Sequence, residues 1–150
     1  MTLDVMAERV IPLPTERVAA YAMDFRNDHR WTQGIRRAEL TRQCDGGGFG
    51  LGAEVTRTAY FLGRRIDYVL RVAEHQPARL LDMVSVAGPL PMHVTYSFEP
   101  TARGTLTRIR VRGEARGGFR LAAPIMARRV RSSITKDLRD LERELSRGSE

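Results

Sequence analysis

The chain has 150 residues, 42% of them hydrophobic, which is about the length of one domain and enough to bury a core. Its formal net charge is +7, but all but one of its 25 basic residues are arginines spread along the whole chain, so no tail or helix is singled out for nucleic acid. No stretch approaches the roughly 20 apolar residues of a membrane-spanning helix, and the acidic start lacks a signal-peptide pattern. We therefore expect one domain over residues 1–150, soluble and cytoplasmic, without specific nucleic-acid binding.

The first third of the chain predicts two strands separated by two short helices. Residues 3–14 alternate weakly and end in prolines, which predicts a first strand. Pro14 and Thr15 then begin a short helix with apolar residues at helical spacing. A second short helix or turn carries the single tryptophan, Trp31, and residues 35–43 return to a strand. The glycine-rich residues 44–52 predict a loop.

From residue 53 to about residue 115 the hydrophobic pattern has a period of two, which is typical of strands with one covered face. Turn residues divide this region into five strands, at 53–62, 65–75, 79–87, 91–100 and 105–115. Consecutive strands with short turns predict an antiparallel meander.

The last third changes to helical spacing. Its apolar residues recur every three or four positions and form one stripe of a long helix: Met126, Val130, Ile134, Leu138, Leu141 and Leu145. The sequence therefore predicts an α+β fold, in which a curved antiparallel sheet of about seven strands packs its concave, apolar face on a long C-terminal helix.

Strand pairing through symmetrical turns predicts which side chains share the covered face. It places Phe98 opposite Thr105, Tyr96 opposite Thr107, and Val94 opposite Ile109, with Met83 and Ser85 beside Tyr96 and Val94, and with Leu70 and Tyr68 beside those. This face mixes apolar bulk with several hydroxyl groups. Because a buried hydroxyl needs a partner, the mixture favours a ligand pocket over a sealed core.

The opposite face of the same strands carries Arg108, Arg110 and Arg112 together with His93 and Ser97. A solvated sheet face explains these residues best. The alternative is a surface for an anionic partner.

The order of elements resembles the helix-grip proteins of the START and Bet v 1 superfamily, and most closely the polyketide cyclase/dehydrase-like branch, also called SRPBCC. The resemblance is carried by the segments PTERVAAYAMDFRNDHRW and VAGPLPMHVTYSFEP, by Gly104-Thr105 at the start of the last strand, and by the closing segment GGFRLAAPIMARRVRSSITKDLRDLERELS. It covers nearly the whole chain. It implies a hydrophobic tunnel between the sheet and the C-terminal helix.

The resemblance leaves three functions open. The first is binding of a lipid-like, polyketide-like or other ring-shaped ligand without a cofactor, by a monomer or a homodimer. The second is an aromatase/cyclase that directs aldol closure and dehydration with an arginine, and the third is a basic interaction module without a ligand. The predicted ligand-binding residues are Trp31, Arg57, Tyr68, Leu70, Met83, Ser85, Val94, Tyr96, Ile109, Met126 and Val130.

Arg57 is the candidate catalytic residue. Symmetrical pairing about Gly63-Arg64 puts it on the covered face with Val55 and Ala59, whereas a bulge at that turn would turn it outward. Trp31 has two interpretations, as an anchor of the short helix on the sheet or as part of the tunnel mouth. Met126 likewise is either packing or a flexible part of the pocket wall.

Other chemistry is not supported by the sequence. The loop GFGLGA is followed by a predicted strand, whereas dinucleotide binding requires a helix there. His29, His75 and His93 lack the spacing of a metal site, so none is predicted. Cys44 is the only cysteine and cannot form an internal disulfide, so we expect an unreactive free thiol. The predicted register places Asp82 on the solvent side with Arg71, which does not favour a catalytic role.

Overall fold

The computed structural model describes residues 2–32, 34–61, 63–89, 91–114 and 123–147. Seven strands form one antiparallel sheet in the order β1-β7-β6-β5-β4-β3-β2. The strands are β1 Thr2–Ile11, β2 Ile35–Arg42, β3 Glu54–Phe61, β4 Arg64–Gln76, β5 Leu80–Ala87, β6 Met92–Thr101 and β7 Gly104–Glu114. The helices are α1 Thr15–Met23, α2 Asp28–Trp31 and α3 Ala123–Arg147, with a 3-10 turn at Phe25–Asn27. The predicted α+β fold is confirmed.

Burial alternates along the strands as the period of two requires. In β6, Val94, Tyr96 and Phe98 are buried, and the residues between them are half-buried on the other face. In β3, Arg57 is buried on the concave face, and no bulge interrupts its pairing with β4. The predicted symmetry about Gly63-Arg64 is wrong by two residues, because Phe61 pairs with Arg64 and Arg57 with Tyr68, but this shift keeps Arg57 on the same face. Bulges occur between β4 and β5, where they help to curve the sheet around α3.

The helices form where the sequence gives them an apolar stripe. Pro14 precedes α1 as its N-cap, and Val18, Ala19, Ala22 and Met23 bury one side of the helix. The predicted stripe of α3 faces the sheet, although Val130 is only half-buried. Residues 117–122, which the sequence assigns to the closing helical segment, lie outside the described residues.

The predicted register of the central strands is wrong by two residues. Phe98 lies opposite Thr107, Tyr96 opposite Ile109 and Val94 opposite Val111, while Leu81 and Met83 lie opposite Tyr96 and Val94. Leu70 lies opposite Ser85, because a bulge shifts the pairing of β4 with β5. The turn between β6 and β7 is centred on residues 102–103, with Thr101 opposite Gly104. Since a shift of two keeps every side chain on its face, the predicted faces survive the error.

The space under α3 divides into two ends. At the end near the β6–β7 turn the core is closed, and Phe98, Ile11 and Leu141 are fully buried. There the Thr105 hydroxyl donates to the Leu13 carbonyl at 2.7 Å. The opposite end, near the β3–β4 and β5–β6 connections, holds a cavity.

Candidate functional site

A cavity of about 190 Å³ lies between the concave face of the sheet and α3. Its wall is mainly apolar. The apolar lining includes Ile35, Ala59, Ile66, Val94, Ile109, Val111, Met126, Val130 and Ile134. Since an apolar cavity of about 150 Å³ holds one benzene molecule, this volume suits a single substituted ring, and it is below the roughly 300–1,000 Å³ of drug-sized pockets.

Seven of the eleven predicted ligand-binding residues line this cavity. They come from β3, β4, β6, β7 and α3, and they are Arg57, Tyr68, Val94, Tyr96, Ile109, Met126 and Val130. Alternation within strands brings them together, because each of the five strand residues points to the concave face. Contact of these residues with a ligand stays a prediction.

The other four predicted residues do not line the cavity. Trp31 is 2% exposed and packs against the ring of Tyr96, with centroids 5.7 Å apart, so it anchors α2 in the core. Leu70 and Met83 are buried in the core cluster. Ser85 accepts a hydrogen bond from the Met92 amide at 2.8 Å, which ties β5 to the start of β6. Only some of the hydroxyl groups on the covered face therefore line the cavity.

An ion pair lies at the inner wall of the cavity. Arg57 from β3 is 5% exposed and Asp28 from α2 is 1% exposed. The Arg57 Nε and Nη2 atoms donate to the Oδ2 atom of Asp28 at 3.0 Å and 2.8 Å. The Nη1 atom donates to no described residue, and Arg57 borders the cavity. The guanidinium is thus neutralised on one side and open to the cavity on the other.

Burial and the partner charge act against each other on this pair. Burial raises the pKa of the Asp28 carboxyl, and the Arg57 guanidinium opposes that shift. Burial, the largest single effect, disfavours the charged form of Arg57, but Asp28 together with Tyr96 and Tyr68 more than offsets it, so the pKa of Arg57 lies well above its ordinary value. Arg57 therefore remains a cation, and its two hydrogen bonds favour the ionised Asp28.

Tyr96 adds a neutral hydroxyl beside this pair. Its oxygen accepts from Arg57 Nη2 at 3.5 Å, and its own O–H donates to no described residue. Burial raises the pKa of Tyr96 to about 12, against the lowering effect of Arg57. The phenol is therefore protonated at neutral pH and can donate into the cavity.

Sequence reasoning missed several polar residues of the wall, besides Asp28 behind it. Asp137 and Ser133 lie on the cavity side of α3, Thr32 follows α2, and Glu114 is the last residue of β7. Asp137 is 4% exposed and interrupts the apolar stripe between Ile134 and Leu141, which is a signal that the sequence did contain. The Thr32 hydroxyl is buried without a partner among the described residues.

This arrangement combines an apolar wall with a few polar groups at one place. The N–H donors of Arg57 and the O–H of Tyr96 can hold an acceptor oxygen of a ligand, and the Asp137 carboxylate can accept a proton or a hydrogen bond. Such an arrangement is typical of sites that hold a mainly hydrophobic molecule in one orientation.

On the outer face of the sheet, two of the three predicted arginines are paired with acids, and the third, Arg112, contacts His93 at 3.4 Å. Arg108 pairs with Glu8 at 3.0 Å and Arg110 with Asp4 at 2.7 Å. Asp82 lies on this face together with Arg71, as predicted. It accepts from Thr95 and contacts His93, each at 2.6 Å.

The remaining sequence candidates form no second site in the part of the chain that the structure describes. Cys44 is half-buried in its glycine loop, where its thiol donates to the Gly47 carbonyl. Within the described ranges, no three His, Cys, Asp or Glu residues are grouped to hold a metal ion.

Two grooves on the surface are larger than the cavity, at about 800 Å³ beside Leu13 and Phe98 and about 600 Å³ beside Leu40 and Phe49. Both are open to solvent, and neither has a buried charged pair of described residues at its base. The interior cavity is therefore the better candidate for a ligand.

A sheet that wraps around a long C-terminal helix and leaves a cavity between them defines a helix-grip fold. The chain belongs to the family described as polyketide cyclase / dehydrase and lipid transport, whose sequence model matches residues 2–146. In the parts of the chain that the structure describes, no helix is long and apolar enough to cross a membrane.

Solved structures agree with this fold. The chain is similar to TTHA0849 from Thermus thermophilus, at 20% identity and a TM-score of 0.84, covering 98% of this chain and 99% of that one. It is also similar to the Zhui aromatase/cyclase from Streptomyces sp. R1128, at 14% identity and a TM-score of 0.84, covering 100% and 97%. A START superfamily protein from Mycobacterium smegmatis matches at 14% identity and a TM-score of 0.76, covering 97% of each chain. Among curated proteins, no sequence matches this chain.

Proposed function

We propose that this protein binds a hydrophobic, ring-shaped small molecule in the cavity under α3. The observation that carries the proposal is the cavity itself, an interior space of about 190 Å³ whose apolar wall includes buried polar groups at one place. A well-packed core leaves few voids larger than a water molecule, so a space of this size in a family linked to cyclase and transport functions supports a ligand.

Binding of fluorobenzene, followed by fluorine NMR, tests the proposal. The native protein should bind it saturably, because an uncharged ring fits the apolar wall. Val130→Trp should abolish binding by filling the cavity from α3, since Val130 lines the wall and is only half-buried. Val10→Trp is the matched control, because Val10 is 42% exposed and does not line the cavity.

Two results would contradict the proposal. One is the absence of saturable binding to the folded protein. The other is unchanged binding in folded Val130→Trp, which would put the ring elsewhere. Binding should also be equal in 50 and 200 mM salt, because removal of hydrocarbon from water drives it.

A cyclase is the second candidate, and one observation favours it. Arg57, Tyr96 and Asp137 converge on an apolar cavity, and a positioned acid and base in such a place suit proton transfer. In an aldol closure, Asp137 would take the proton from the carbon next to a ketone. The new carbon–carbon bond would then leave an oxyanion beside Arg57 and Tyr96.

A linear 1,3,5-triketone is a suitable probe of this candidate. Its conversion to an aromatic product, measured by absorbance and mass spectrometry, should be faster with the protein and should fall strongly in Asp137→Asn. If the rate with the protein equals the rate in buffer, the cavity binds without catalysing. If Asp137→Asn retains full activity, Asp137 is not the base.

The basic-module alternative has less support. The outer-face pairs Arg108–Glu8 and Arg110–Asp4 combine each of these arginines with an acid from β1, which reduces their attraction for phosphate.

A further inference from the structure

We infer that the ligand is an uncharged compound of about one ring that carries a carbonyl oxygen, and that Asp28 sets this preference by cancelling the charge of Arg57. The inference rests on the proposed function and narrows its ligand class. It follows from the charges, the unused donors and the volume of the same cavity.

The charges at the polar wall exclude an anionic ligand. Among the described residues that line the cavity, Arg57 is the only cation, and Asp28 neutralises it at 2.8 Å. A carboxylate ligand would lose its water in this place without meeting a net positive charge, and burial of an uncompensated charge is costly.

The unused hydrogen-bond donors select an acceptor on the ligand. The Nη1 atom of Arg57 and the O–H of Tyr96 donate to no described residue, although Tyr96 is only 3% exposed. Buried donors normally have partners. A carbonyl oxygen can accept from both groups and brings no charge.

The volume of the cavity indicates the size of the rest of the ligand. The volume of this cavity, about 190 Å³, is larger than that of the roughly 150 Å³ cavity that holds benzene. The difference is about the size of a small substituent. A ring with one short carbonyl-bearing group fills this space, with the ring against Ile109 and Val130.

Three probes of nearly the same shape test the inference, because they differ only at the polar end. Cumene has no acceptor, acetophenone has a neutral carbonyl and benzoate has a charged carboxylate. Dissociation constants measured by NMR titration at pH 7.5 should rise in the order acetophenone, cumene, benzoate, with about tenfold between neighbours, as expected for one charge-assisted hydrogen bond.

Asp28→Asn removes the cancelling charge and should tighten benzoate binding at least about tenfold while cumene binding stays within about twofold. Asp24→Asn is the matched control, since it removes a partly exposed acid of the neighbouring turn that pairs with Arg26, and it should change neither. The double variant Asp28→Asn with Arg57→Met removes both charges of the pair. It should bind cumene, lose most of the preference for acetophenone, and still reject benzoate.

The inference is overturned if the native protein binds benzoate as tightly as acetophenone. It is also overturned if Asp28→Asn binds cumene normally and benzoate no better than the native protein does. Should Asp28→Asn fail to fold, the native ranking and the double variant decide. If cumene itself does not bind to the native protein, the proposed function fails, which is a different result from a wrong ranking.

Discussion

The two faces of the sheet contain the same chemical pair in opposite settings. On the concave face, Arg57 and Asp28 are almost fully buried, with side-chain exposures of 6% and 1%. On the convex face, the Arg108 and Glu8 side chains are 33% and 49% exposed. The distances are similar, at 2.8 Å and 3.0 Å, so geometry alone does not separate them.

Burial makes the difference. An exposed pair is screened by water and is worth about 0–1 kcal/mol, so its loss is tolerated. A buried pair has given up its hydration, and removing one partner leaves an uncompensated charge. The buried pair beside the cavity is therefore stronger evidence for a functional site than the exposed arginines of the convex face are.

The largest expected effect comes from splitting the buried pair. Asp28→Asn should lower the free energy of unfolding by about 3–5 kcal/mol, because Arg57 loses its compensating charge. Replacing both residues, with Asp28→Asn and Arg57→Met, should recover a large part of this loss. Urea denaturation of the three proteins provides the measurement. A loss in the double variant as large as that of Asp28→Asn alone, or larger, would mean that the uncompensated charge is not the cause, and the contrast between the faces would then be wrong.

High pH should lower the stability of the same region through ionisation of Tyr96. Its folded pKa of about 12 exceeds the ordinary value of 10.0, so its contribution to stability is complete below pH 10 and is lost as the pH rises toward 12. Two pKa units correspond to about 2.7 kcal/mol. The difference in unfolding free energy between native protein and Tyr96→Phe should therefore shrink by up to this amount over that range. A constant difference would show that the phenol is not buried as described.

Two buried threonines on the concave face allow a comparison between a hydrogen-bonded and an unpaired hydroxyl group. Thr105 donates to the Leu13 carbonyl, whereas the Thr107 hydroxyl has no partner among the described residues. Thr105→Val should destabilise the protein by about 1–2 kcal/mol, and Thr107→Val should be neutral or stabilise it by about 1 kcal/mol. Equal losses in thermal denaturation would mean that the Thr107 hydroxyl is satisfied after all.

The smallest effect belongs to the convex face. Arg108→Gln should change the free energy of unfolding by about 0.5 kcal/mol or less, since its partner Glu8 is half exposed. The same denaturation experiment in low and high salt should give nearly the same small value. A loss comparable to that of Asp28→Asn would remove the distinction between exposed and buried pairs.

Periodicity predicts the fold well because each strand has one apolar face and α3 has one apolar stripe. Register was wrong by two residues because turn centres and the β4–β5 bulges depend on backbone geometry that side-chain patterns do not encode. The inward position of Arg57 was predicted correctly although the β3–β4 pairing is also shifted by two residues, because an even shift keeps a side chain on its face.

The partner of Arg57 could not be predicted in this way. Asp28 is 29 residues away in the chain, and only the folded packing of α2 against β3 brings it to Arg57. Asp137 left a trace, as an acid within an apolar stripe, but the pattern alone does not distinguish a cavity wall from a packed core.

Intermolecular nuclear Overhauser effects from bound cumene to the methyl groups of the protein test the central claim most directly. The three sites have different methyls: Val94, Ile109 and Val130 line the cavity, Leu13 lies in one surface groove and Leu40 in the other. We predict strong effects to the first three and none to Leu13 or Leu40. Effects confined to Leu13 or Leu40 would contradict the assignment of the ligand to the cavity under α3.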